Sequence, residues 1–114
     1  MRMDDGMLTV CNLTLEASTG NMPVERLSPI SRHFYGARTV GMNRQYAAMG
    51  VNERVDMLVR IWRDRNIHIG DYVLLEDGQQ YRIDQVQQVD DEHGLPATDL
   101  SLSKLENNYA VKSE

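Results

Sequence analysis

Three histidines, one cysteine and seventeen acidic residues are the side chains from which this 114-residue chain would have to build chemistry. His33, His68 and His93 are far apart in sequence. None stands at zinc-site spacing from Cys11 or from another histidine. Asp90-Asp91-Glu92-His93 offers hard oxygen donors, but lacks the alternating ligand spacing of a calcium loop. A solvated charge run is the simpler reading. Cys11 has no base near it in sequence and reads as a small core residue. The serines 18, 28, 31, 101, 103 and 113 lie in no nucleophile-elbow pattern. No glycine-rich loop follows a strand to cradle phosphate. The expectation is therefore no metal, no cofactor and no enzymatic residue set.

Charge is distributed unevenly. Residues 1–25 carry net −3, residues 26–65 carry net +5 and residues 66–114 carry net −7, for an overall −5. Ten of the twelve bases are arginines, whose planar fork suits desolvated pairs with carboxylate or phosphate. Three uses of this asymmetry are open: pairing of basic and acidic strands within one fold, a contact between copies, or nucleic-acid binding.

The elements that would position these groups read as strands. Residues 7–15 alternate, with Leu8 and Val10 facing one way and Cys11, Leu13 and Leu15 the other, so both faces should be partly covered. Residues 17–21 are turn-rich. Ser28-Pro29 argues for an irregular segment or a short edge strand over 22–32. Residues 33–42 should be extended, with Phe34, Tyr35 and Val40 packing. Residues 43–50 read as a long loop with a nascent helix, capped by Asn43 and ended by Gly50. Arg54 to Arg63 is the clearest strand, with Val55, Met57, Val59 and Ile61 on one face and Arg54, Asp56, Leu58, Arg60 and Trp62 on the other. Asp77-Gly78 predicts a two-residue type I′ hairpin pairing Glu76 with Gln79, Leu74 with Tyr81 and Tyr72 with Ile83. Alternation slips between Ile83 and Val86, which predicts a bulge. Residues 89–97 read as an acidic exposed loop, and 98–105 as a strand with Leu100 and Leu102 inward. Residues 106–114 form a polar tail. The whole is a single all-β domain over 1–114, a small antiparallel β-barrel of about six strands with a long internal loop and a core over 33–105. One cysteine, two early acids and no apolar leader predict a reducing compartment, or a particle assembled there, without secretion.

Four stretches together resemble a known family. They are Tyr35-Gly36-Ala37-Arg38-Thr39-Val40-Gly41, residues 55–63 (VDMLVRIWR), residues 77–87 (DGQQYRIDQVQ) and residues 91–102 (DEHGLPATDLSL). Their order and spacing resemble the head-closure proteins of long-tailed bacteriophages, also called stoppers or head–tail adaptor and joining proteins. The resemblance covers about residues 33–111 and leaves the first 30 aside. It implies a β-barrel that forms a homo-oligomeric ring of six or twelve copies in the virion neck. Such a ring sits between portal or adaptor ring and tail proteins, extends the DNA exit channel and closes it. DNA passes without sequence-specific binding, and no membrane is involved.

The resemblance also implies that a long loop before the middle strands projects into the channel. Here that loop is Met42, Asn43, Arg44, Gln45, Tyr46, Ala47, Ala48, Met49, Gly50, Val51 and Asn52. For the contact between copies, the charge pattern offers Arg60, Trp62 and Arg63 against Asp90, Asp91 and Glu92. The alternative reading is a single-stranded nucleic-acid-binding barrel, with Tyr35, Tyr46 and Trp62 stacking on bases and Arg38, Arg44 and Arg60 on phosphates.

Overall fold

The computed structural model describes residues 3–16, 24–38 and 55–111. Seven strands form in chain order: β1 (Gly6–Glu16), β2 (Val24–Arg38), β3 (Met57–Trp62), β4 (Tyr72–Leu75), β5 (Gln80–Asp90), β6 (Pro96–Lys104) and β7 (Ala110–Val111). No helix occurs among the described residues. The strand order is β1-β4-β5-β6-β3-β2-β7, and a further pairing of β1 with β2 returns the sheet to its start. Six strands thus make a closed, barrel-like ring in which every neighbour is antiparallel. The all-β architecture follows the sequence pattern.

The core reaches beyond the anticipated 33–105, because β1 pairs with both β2 and β4 and turns Leu8 and Val10 inward. Leu8, Val10, Val59, Ile61, Val73, Ile83, Leu100 and Leu102 are completely or almost completely buried and pack as one cluster with Tyr35, Ile67 and Leu75. A bulge falls between Ile83 and Gln85, opposite Leu102 and Ser101. The extra residue, Asp84, lets both Ile83 and Val86 face the core. On the other face of β1, Cys11 is also fully buried. It lies opposite Tyr72 on one side and Pro29 on the other. Both faces of β1 are therefore covered, at least in part.

Three expectations are corrected. Residues 24–38 are one continuous strand, not an irregular segment. The proline argument misses that β2 shifts register between Val10 and Cys11 of its partner, skipping Ile30 beside Pro29. A bulge is the place where a missing N–H is tolerated in a paired strand. Within this strand Phe34 turns outward and is 59% exposed. The hairpin register is also one residue off: Val73 faces Tyr81 and Leu74 faces Gln80. Leu75 N–H donates to Gln79 O, and Gly78 N–H to Leu75 O, so the turn holds three residues. Gly78 has φ of 89°, and no non-glycine residue described has positive φ, which excludes the two positive angles of type I′. A one-residue slip exchanges faces, so Val73 and Leu75 point inward while Leu74 points out.

The third correction concerns residues 89–97. They are not an open loop: β5 and β6 pair as far as Asp90 and Pro96. The tip is a tight turn around Asp91, which is buried. The tail is tied down as far as Val111. Leu105 N–H donates to Gln80 O. The buried Gln80 side chain donates to Tyr109 O and accepts Tyr109 N–H, both at 2.8 Å. The Tyr109 ring meets Tyr72 edge-on at 5.6 Å. β7 then pairs in parallel with Arg26 and Leu27 of β2. No helix among the described residues is long and apolar enough to cross a membrane.

Candidate functional site

The side chains named for a contact between copies are largely engaged within the chain. Arg60 and Asp99 face each other across β3 and β6. The Arg60 fork donates to both carboxylate oxygens, at 2.6 and 2.9 Å. The Asp99 hydrogen bond, working against burial, holds the Arg60 guanidinium above its usual value. Arg63 donates to Val89 O at 2.9 Å and reaches Asp90 Oδ1 at 3.4 Å. Basic and acidic segments thus meet inside one fold at these positions. Asp91 Oδ1 accepts the N–H groups of His93 and Leu95 at the β5–β6 turn. Burial works to raise the Asp91 carboxyl and those N–H groups work to lower it; the net direction is below the ordinary value. Glu92 and Asp90 remain well exposed, as does Trp62.

The loop residues 42–52 lie outside the described residues. The structure does locate their anchors. β2 and β3 are adjacent at Gly36–Arg60, Ala37–Val59 and Arg38–Leu58, yet residues 39–56 separate them in the chain. An antiparallel neighbour needs only about two to five linking residues. The long connection therefore starts and ends at one rim of the ring, where the β4–β5 turn also lies. Of the residues named for stacking on bases, Tyr35 is buried in the core and Trp62 is half exposed. Tyr46 and Arg44 lie outside the described residues, and Arg38 lines a shallow hollow with Asp4, Asp5 and Ala37.

Sequence spacing did not disclose a polar network on the inner face near the opposite rim. Ser31 and His33 point inward, since they stand across from Val10 and Leu8. His33 Nε2 lies 3.0 Å from Ser31 Oγ and 3.0 Å from Asp64 Oδ2. Asp64 Oδ1 accepts Asn66 N–H, and Asp64 N–H donates to Thr98 Oγ1. Thr98 Oγ1 donates to Gln88 Oε1, and Gln88 Nε2 donates to Asp64 O. Serine, histidine and aspartate together suggest a nucleophile. However, both neighbours meet the same ring nitrogen, whereas a proton relay needs them on opposite nitrogens. What the arrangement does is fasten. β2 and β3 share three residue pairs and then diverge. The network bridges that gap, joining β2 to the segment after β3 and to β5 and β6. Four separate elements supply its members, so no local motif announces it.

Burial, assisted by Asp71, pushes the Cys11 thiol up to about 11. Among the described residues no group of three or more histidine, cysteine or acidic side chains is placed to hold a metal. A groove of about 480 Å³ crosses the outer face of β2, β1 and β4. Met7, Thr9, Arg32, Phe34, Leu74, Leu75 and Glu76 line it. No protein-family model matches the chain, and no curated protein matches it.

Proposed function

We propose that this chain is a structural protein of a phage neck: a head-closure or head–tail connector subunit that forms a ring below the portal or adaptor and above the tail proteins. It extends the DNA exit channel and closes it after packaging. The observation that carries the reading is the connection between β2 and β3. A compact ring of six strands holds two neighbours together by backbone pairing, and between them lies a segment several times longer than that pairing requires. Long connections in small domains are commonly functional. This one coincides with the loop that the family resemblance assigns to channel closure. The reading also fits a polar network that fastens strands.

The test is genetic and visual. Particles assembled without this protein should be tailless heads that lose their DNA, seen by negative-stain imaging and by nuclease sensitivity of the packaged genome. Complementation with the full chain should restore tailed, DNA-filled particles. Complementation with residues 42–52 replaced by a short glycine-serine linker should restore tails without DNA retention. Normal tailed particles in the absence of the protein would reject the proposal.

A further inference from the structure

Two fully buried apolar side chains, Cys11 on β1 and Leu27 on β2, lie outside the core cluster of the ring. Their surroundings explain this. β1 pairs with β4 only over residues 8–11. Past the bulge at Val10 and Cys11, residues 12–16 continue against residues 24–28 of β2, so the two strands run beyond the ring as an arm. Cys11 stands across from Tyr72 and Leu13 across from Leu27, and alternation puts all four on the face away from the core. The chain's own tail packs there. Gln80 of β5, only 4% exposed, grips both backbone groups of Tyr109 at 2.8 Å, and the Tyr109 ring meets Tyr72 edge-on. The next two residues, β7, pair with Arg26 and Leu27 on the edge of β2 away from β1. The tail thus passes directly from β5 to the arm. Its hold on the arm is slight: β7 has two residues, both exposed, and its pairing is parallel, the weaker ladder.

We propose that residues 105–111 are a strap, closed in this structure, whose release frees the β1–β2 arm to swing at its bulge while the six-strand ring stays folded. The closed strap is an autoinhibitory contact. It takes the β2 edge at residues 26–27 and covers the face that carries Leu27 and Cys11. An open strand edge beside apolar side chains is a template for an added strand, and here the chain's own tail fills that place. The bulge supplies the hinge, because the ladder between β1 and β2 is interrupted there. Gln80 is the catch, since both hydrogen-bonding groups of its buried amide are engaged by one tail residue. The device goes beyond the neck reading and does not depend on it: arm and tail lie apart from the connection between β2 and β3 that carries that reading.

The experiment is hydrogen exchange on the purified full chain, read segment by segment, with alkylation of Cys11 as a second readout. Gln80→Ala and Tyr109→Ala spoil the catch from its two sides. Each should speed exchange in residues 12–16 and 24–28 by about tenfold, the scale of one lost hydrogen bond. Cys11 should become reactive in the folded variants while it stays protected in the wild type. Exchange in residues 57–62 and 97–102 should remain as slow as in the wild type. A disulfide across the paired positions of the ladder, Arg26→Cys with Ala110→Cys, should restore slow exchange to the arm of Tyr109→Ala, and reducing it should release the arm again. Should Gln80→Ala fail to fold, Tyr109→Ala carries the test, because it alters no residue of the ring. Faster exchange spread equally over residues 57–62 and 97–102 would overturn the proposal, since tail, arm and ring would then open as one unit. An arm that exchanges as slowly in both variants as in the wild type would overturn it too, since the tail would not be what holds the arm.

Discussion

The two edges of β2 are fastened in different ways. One edge pairs with β1 through eleven residue pairs, interrupted by a single bulge. The other pairs with β3 through three and with β7 through two, and between those points it relies on the Ser31–His33–Asp64 network. The first edge is a backbone ladder, insensitive to which side chains it carries so long as they alternate. The second depends on particular side chains, and it is the edge from which the long β2–β3 connection leaves. A ring closed in this way is rigid on one side and adjustable by single substitutions on the other.

The comparison can be broken most severely from the core that both edges share. Leu100→Ala removes a fully buried side chain from β6 and should cost about 2–5 kcal/mol of unfolding free energy. Chemical denaturation measures it. A cost below about 1 kcal/mol would mean that the ring is not packed around this residue. Next come the side-chain fasteners. His33→Ala and Asp64→Ala should each cost about 1–3 kcal/mol. Because the pair is shared, the double variant should cost clearly less than the two singles added. Hydrogen exchange should speed up at residues 30–36 and 57–62 and remain slow in β1. Uniform acceleration over β1 as well would show that the two edges are not independent.

These features were unequally legible in the sequence. Val59 and Ile61, Leu100 and Leu102, and the bulge after Ile83 were readable because period-two alternation and its interruption are local. The 24–32 strand was hidden because Pro29 counts against pairing unless a partner supplies a bulge, and the partner is β1. Asp77-Gly78 located the turn but misplaced its register by one residue, since only Gly78 adopts positive φ. The inner polar network was invisible because its side chains come from β2, the segment after β3, β5 and β6. The groove was equally invisible, since Met7, Phe34 and Leu74 share a face only after the ring closes.

Two smaller effects sharpen the picture. Gly78→Ala forces a Cβ into a left-handed turn where nothing crowds it, so the cost is conformational and should be about 1–2 kcal/mol. A stabilised variant would contradict the three-residue turn. Cys11, buried between β2 and β4 with its thiol pushed up to about 11, should resist thiol reagents at pH 8 until the chain unfolds. Its raised value also sets a direction. The folded state keeps the proton longer than the unfolded state, so stability should fall as pH rises from about 9 toward about 11. Cys11→Ala should flatten that limb. Rapid labelling of the native protein would place Cys11 outside the packed face of β1.

The most direct test of the proposed neck role is an electron-microscopic reconstruction of phage particles assembled with this protein. The account predicts a closed ring of identical copies below the portal, each fitted by the six-strand domain with the rim bearing Arg38 and Met57 turned toward the DNA axis. A neck without such a ring, or one whose subunits turn that rim outward, would contradict it.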